Sequence, residues 1–509
     1  MTSPSRRRAV LRGDLRFQWR HGFHAVYGVV LLVYLAGVML VPPHWRSVLA
    51  GILVFSDTSV LGFFFVGSMT LLEREQRVLT ILSVSPVPPR RWVTSKVLTL
   101  AGLAAGVSIP LLIAGHGWTT TLSRLPYLLP TILLSSAFYT AIGIVVALRS
   151  ATLNQYFFRG ALWTLVFVAP VLPAFGVLEH TLWWALPTLP ALSLLHVITD
   201  VGPDVAVSLV ILAAWTGGML VLVYYRAAIE LRRPEAPAAG RHKVARRAGD
   251  SRQSSRHADR RSGDRFGAVL RSEVRLILRD PLLTTVLLAP LLFLLLLRFG
   301  IPVAATLLAG HWGFDPAPYV PLLSVFFLCL IPIMLGMVSG FVLLDELDEG
   351  VLAPISVSPL HRGGWLVRKL IIVSSGTLPL VVALGRLNGV YPIPWATLAA
   401  ACPALCLQTP AVALALATVA RDKVEGVALS KAVGILALAP IVVWYAPGFW
   451  ALAGAPIPGI WVSMALLSRL PNSPVSYGAG MTGAAGALVT CGWLWLLVRR
   501  FLARNAHGV

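Results

Sequence analysis

The chain has 509 residues, of which 57% are hydrophobic and 12% charged, and a mean hydropathy of +0.78. That balance excludes a water-soluble globular or disordered protein and points to a multi-spanning membrane protein. The net charge of +21 does not imply nucleic acid, because the basic residues punctuate apolar stretches and gather on one side of the predicted topology.

The N-terminal tail carries Arg6, Arg7, Arg8, Arg12, Arg16 and Arg20 before the first apolar run. No small-residue cleavage site ends that run, so it reads as a retained anchor rather than a signal peptide. Over 11–20 the arginines recur one helical turn apart beside apolar residues, as expected of a helix lying in the inner interface. A bilayer core about 30 Å thick needs about 20 helical residues per span. The first half offers spans near 24–41, 48–72, 94–115, 126–148, 157–178 and 204–226. Asp57 is the one acidic residue well inside a span, and it is a candidate intramembrane polar site or a residue hydrogen-bonded within the bundle.

Spans 2 and 3 are joined by Glu73-Arg-Glu-Gln-Arg-Val-Leu-Thr-Ile-Leu-Ser-Val-Ser-Pro86. Glu73 and Arg77 lie one turn apart in the favourable order, and Val78, Leu79 and Leu82 share an apolar stripe. A short amphipathic helix is therefore predicted, containing Ser83 and ended near Pro86. Trp92 and Lys96 mark the re-entry of span 3, with the indole and ammonium expected at headgroup level as interfacial anchors. Arg149 and Arg159 flank the loop after span 4, and 179–200, with Trp183, Trp184, Pro187 and Pro190, precedes span 6.

Residues 227–265 are rich in Arg, Ser, Gly and Pro and form a predicted disordered linker. The pattern then repeats: 270–279 repeats the arginine spacing of 11–20, and spans are expected near 282–304, 319–344, 366–386, 394–420, 432–446 and 475–498. The cassette returns as Glu346-Leu-Asp-Glu-Gly-Val-Leu-Ala-Pro-Ile-Ser-Val-Ser-Pro359, followed by Trp365 and Lys369, with nine of 25 aligned positions identical. Val351, Leu352, Ser356 and Pro359 are retained; Asp345, Asp348 and Glu349 make this copy more acidic. Arg421 and Lys431 echo Arg149 and Arg159 in the loop after the fourth span, and 447–470 echoes 179–200.

The expected architecture is all-α and polytopic, with about twelve transmembrane helices in two parallel six-helix repeats, 1–226 and 266–509. Only Arg46, Arg124, Arg298, Arg386 and Arg469 fall near the face opposite the other Lys and Arg residues, so both termini are expected in the cytoplasm. Gly102/Gly106, Gly336/Gly340 and the small-residue run Gly480 to Gly486 are candidate helix-packing edges. Cys329, Cys402, Cys406 and Cys491 lie in predicted spans without a C-x-x-C pair, which indicates neither a disulfide framework nor a thiolate metal site.

The duplicated Glu73…Val78-Leu79…Ser83-Val-Ser-Pro86…Lys96 pattern, preceded by an amphipathic segment and two spans, resembles the coupling-helix region of type-2 ABC exporter permeases. It is most similar to antibiotic and fluoroquinolone export permeases of actinobacteria, and the resemblance covers nearly the whole chain as two fused copies. It implies that 73–86 and 346–359 are cytoplasmic coupling helices docking on two ABC ATPase subunits. It also implies that 11–20 and 270–279 are elbow helices, and that 179–200 and 447–470 are outer re-entrant helices. No G-x-x-x-x-G-K-[ST] occurs, so this chain binds no cofactor, and ATP and Mg belong to the partner ATPase. The implied substrate is a lipophilic or amphipathic small molecule such as an antibiotic.

Two rival classes remain. A twelve-span ion-coupled secondary transporter is also commonly built from two parallel halves, and would give Asp57 a central role while leaving the duplicated cassette unexplained. A membrane enzyme is disfavoured, because there is no H-E-x-x-H, no G-x-S-x-G and no His/Cys cluster. His116, His180, His196 and His311 fall singly near the outer face.

Overall fold

The computed structural model describes residues 4–40, 43–76, 78–85, 88–150, 153–168, 181–197, 204–231, 281–312, 317–348, 362–420, 423–445, 454–470, 475 and 477–506. Among these, regular structure is helical throughout. In the first half the helices are α1 (Pro4–Arg20), α2 (Phe23–Leu40), α3 (Pro43–Val60), α4 (Val66–Glu75), α5 (Val78–Val84), α6 (Pro89–His116), α7 (Trp118–Leu148), α8 (Leu153–Val168), α9 (Thr188–Leu194) and α10 (Val205–Glu230). The second half contains α11 (Pro281–Leu295), α12 (Ile301–Trp312), α13 (Val320–Asp348), α14 (Arg362–Leu387), α15 (Trp395–Val419), α16 (Lys423–Gly434), α17 (Ala439–Tyr445), α18 (Pro458–Leu467) and α19 (Ala479–Ala506).

Ten helical stretches among the described residues are long and apolar enough to cross a membrane, or eleven if the bent α1/α2 pair counts as one. Twelve were expected. The difference lies at 157–178, which is described only through the 16 residues of α8, short of a full crossing. Segments 270–279 and 349–361 lie outside the described residues, and with them Val351, Leu352, Ser356 and Pro359. So do Arg77 and Pro86.

The α1/α2 bend of 62° is made at Gly22, whose φ of +71° is a left-handed conformation that glycine adopts without a side-chain clash. α1 is thereby turned away from the axis of α2 and packs on α6. Arg12, Arg16 and Arg20 point outward with Trp19, while Asp14 and Gln18, one turn apart, are buried.

The two halves repeat one packing scheme. α9 is tucked against α3, α7 and α10, and α18 against α13, α15 and α19, so each is a short buried helix wedged between spans 2, 4 and 6 of its own half. Span 1 of each half meets the fifth span of the other: α2 packs on α16, and α11 on α8.

Close approach depends on small residues. A Cβ on Gly336 would sit 2.6 Å from the Thr409 carbonyl oxygen, and one on Gly340 3.0 Å from that of Ala413, so this pair seats α13 on α15. Gly483 and Gly486 of the C-terminal run likewise meet α15, against Ala400 and Ala404. Gly102 and Gly106 do not pack at all, with nothing within 4 Å of either added Cβ. In the first half the close crossing is made instead by Gly62 and Gly143, each 2.8 Å by the same measure from a backbone oxygen of the opposing helix. A G-x-x-x-G spacing gives one face of a helix, but only the fold decides what that face meets.

Candidate functional site

The first cassette folds as a short helix packed on the end of the preceding one. α4 ends at Glu75, and α5 runs from Val78 to Val84. The Ser83 hydroxyl donates to the Thr80 carbonyl at 2.6 Å and that of Ser85 to Leu82 at 2.9 Å, local bonds that compete with further helix. Pro88 and Pro89, the latter in the first turn of α6, then set a new helix start. Leu79 packs inward, whereas Ile81 is 65% and Val84 85% exposed. Two neighbouring apolar side chains stand on the outer edge of a helix of only 7 residues.

Glu73 does not lie on that edge. Its carboxylate accepts from Lys96 Nζ at 2.6 Å and from the Trp92 indole at 3.0 Å. Lys96 also reaches Asp14 of α1 at 3.5 Å, and its ammonium lies 5.3 Å from the Trp92 ring centroid. Ser95 donates to the other Asp14 oxygen, and Gln18 to Thr99 at 2.9 Å. Lys96 is fully buried and Trp92 only 2% exposed. The expectation that Trp92 and Lys96 anchor at headgroup level is therefore corrected: two carboxylates and an indole satisfy the ammonium inside the protein, where an unpaired charge would be prohibitive. Glu73 is corrected likewise, from a docking group to a brace. The network ties α1, α4 and α6 together near the C-terminal end of α4, the helix on which α5 packs.

Arg74, which the sequence did not single out, adds a second brace. Its guanidinium donates to the carbonyls of Leu148 and Ser150, each at 2.8 Å, capping the C-terminus of α7, where a cation also suits the helix dipole. The second half retains part of the design. Lys369 pairs with Glu346, and its ammonium lies 5.4 Å from the Trp365 ring centroid. Here the lysine and glutamate side chains keep 18% and 20% exposure, against 0% for Lys96.

Asp57 is not isolated. It forms an ion pair with Lys431, which also donates to the Tyr27 hydroxyl at 2.9 Å and lies 4.0 Å from the centroid of that ring. Sequence spacing had put Lys431 in a loop; it belongs to α16, in a stretch apolar enough to span. The pair joins the halves where α2 meets α16. The outer histidines are not all single either, since the rings of His116 and His196 lie 5.7 Å apart and Tyr127 bonds His196 at 2.8 Å. No group of three metal-ligating side chains occurs among the described residues.

Two family models match, one on each half. The model for the fluoroquinolones export permease protein family matches residues 5–225, and that for fluoroquinolones export permease protein Rv2686c-like matches 273–498. Each half of the chain thus matches a fluoroquinolones export permease family, and the whole is a double-length form of such a permease. Fluoroquinolones export permease protein Rv2686c of Mycobacterium tuberculosis (strain ATCC 25618 / H37Rv) is 28% identical over 245 residues, which are 46% of this permease and 93% of the relative. Rv2687c of the same strain, under the same description, is 25% identical over 237 residues, or 46% of this permease and 95% of the relative. Each relative is thus about half as long as this permease. No solved structure matches it.

Proposed function

We propose that this permease is the membrane-spanning subunit of a type-2 ABC exporter, moving a lipophilic or amphipathic small molecule such as a fluoroquinolone while two separate cytoplasmic ATPase subunits hydrolyse ATP. The observation that carries the reading is α5: exposed apolar Ile81 and Val84 on a short helix that packs on α4, whose Glu73 is fixed in a buried charge network. A partner can grip such a knob and move it as one body with α1, α4 and α6. The names of the relatives support the export of drugs, and the packing of span 1 of each half on the fifth span of the other supplies two walls that can rock against each other. The permease makes no bonds; its work is differential affinity for substrate in two states.

Pull-down of the tagged protein from gently solubilised membranes tests this. The wild type is expected to bring down a stoichiometric P-loop ATPase, and an Ile81→Glu/Val84→Glu variant to lose it with unchanged thermal stability. Retention of the ATPase by that variant removes α5 from the interface. One observation favours a second reading, the buried Asp57–Lys431 pair, since ion-coupled carriers place ionisable groups at such depth. Substrate uptake by the pure chain in proteoliposomes under an ion gradient, without ATPase, would replace the first reading with this one.

A further inference from the structure

Lys431 fills a site that the first half makes by itself. Tyr27 on α2 and Asp57 on α3 both belong to that half, while the ammonium between them comes from α16 of the other half. An aromatic face and a carboxylate around one nitrogen form a general recogniser of ammonium groups. The Asp57 side chain is fully buried, yet its Oδ2 has no hydrogen-bond partner. The carboxylate therefore keeps acceptor capacity that Lys431 does not use. Both helices are also irregular beside the pair: a π-helical turn, Leu61–Phe65, follows Asp57, and a 3₁₀ turn, Ile435–Leu438, follows Lys431. Such turns mark places where a helix changes shape.

We propose that Tyr27 and Asp57 bind the protonated amine of a lipophilic substrate, and that Lys431 is a tethered ammonium occupying their site while the halves are together. The inference rests on the export reading. When the halves part, Lys431 leaves with α16 while Tyr27 and Asp57 stay together. A carboxylate stranded among apolar side chains is too costly to remain uncompensated, and an incoming amine replaces the lost partner. The site is single. The position aligned with Asp57 in the second cassette's register is Leu330, and Arg159, the echo of Lys431, donates to the Arg149 carbonyl.

The test measures binding of norfloxacin, a fluorescent fluoroquinolone with a secondary amine, against its N-acetyl derivative, which cannot be protonated at that nitrogen. The purified permease is held in lipid nanodiscs without ATP or ATPase. In Lys431→Gln, which vacates the site, norfloxacin is expected to bind about tenfold tighter than the acetylated compound. In Asp57→Asn/Lys431→Gln, which leaves no lone buried charge, the preference should vanish; the wild type should fall between them. Equal affinity for the two compounds in Lys431→Gln overturns the site and leaves the pair a structural tie. Should that variant not fold, the same affinity ratio in the wild type and the double variant overturns it equally. Because no ATPase is present, amine preference without a co-purifying ATPase would keep the site and reject the ATP-driven reading, and the reverse result would do the opposite.

Discussion

The two cassettes share a glutamate, a tryptophan and a lysine, and differ in how far these are withdrawn from water. In the first, Lys96 is fully buried and held by Glu73 and Asp14, with Trp92 donating to the same glutamate. In the second, Lys369 and Glu346 keep about a fifth of their side-chain surface. Identical residue types thus make a rigid buried brace in one half and a partly wetted pair in the other. An ion pair's contribution depends on the dielectric around it, so the two cassettes need not respond alike to the same substitution.

The largest effect that would sharpen this contrast is expected from Lys96→Met. Removing the ammonium strands two buried carboxylates, and breaking a buried pair costs about 3–5 kcal/mol. Thermal unfolding in mild detergent should show a large drop in midpoint. Lys369→Met should cost no more than about half as much, because water reaches both partners and compensates Glu346. Equal losses would erase the distinction between the halves. The buried brace also changes what mutations in the first cassette report. Alanine at Glu73 or Leu79 would weaken folding before it touched docking, whereas Ile81 and Val84 can be changed on an open surface.

Next in size is a comparison of the two G-x-x-x-G faces. Gly336→Ala places a methyl 2.6 Å from a backbone oxygen, which forces α13 and α15 apart. Overpacking of this kind costs about 1–3 kcal/mol. Gly102→Ala and Gly106→Ala meet nothing within 4 Å and should be neutral or slightly stabilising, since alanine is the better helix former. A loss of stability at Gly102 would mean that this face is occupied by a partner, and the same measurement on the isolated chain and on the protein with whatever co-purifies would locate the contact.

Much of the architecture is legible in the sequence. Span positions follow from length and hydropathy, because backbone polar groups in a bilayer must be satisfied by helix. Helices at 11–20, 188–194 and 458–467 fall where the repeat and the family resemblance placed helices. The site was legible only in part. Glu73, Trp92 and Lys96 stood out by recurrence, but recurrence does not tell a docking face from the frame behind it. Asp14 and Arg74 gave no signal because their partners, Lys96 and the end of α7, are remote in sequence. Lys431 was misplaced for a related reason: a lysine near a loop normally marks the interface, and its pairing with Asp57 spans the two halves of the chain.

The smallest expected effect concerns the corner after α9 in the first half, where the halves differ in kind. His196 follows α9, accepts or donates a hydrogen bond with Tyr127, and has a left-handed φ of +57°. Partial burial, the Arg124 guanidinium and His116 push its pKa down to about 4, below the usual histidine value of about 6.5. The matching corner after α18 carries Ser468, Arg469 and Leu470 and no histidine. Between these two pH values the unfolded chain takes up a proton that the folded corner refuses, so stability is held above about 6.5 and lost as pH falls toward about 4. Half exposure keeps the slope shallow. His196→Asn tolerates the positive φ and retains a hydrogen-bonding partner for Tyr127, and its unfolding midpoint should fall less between pH 7 and pH 4.5 than that of the wild type. Parallel pH curves for the two proteins would show that acid acts elsewhere and that the corners after α9 and α18 are equivalent in this respect.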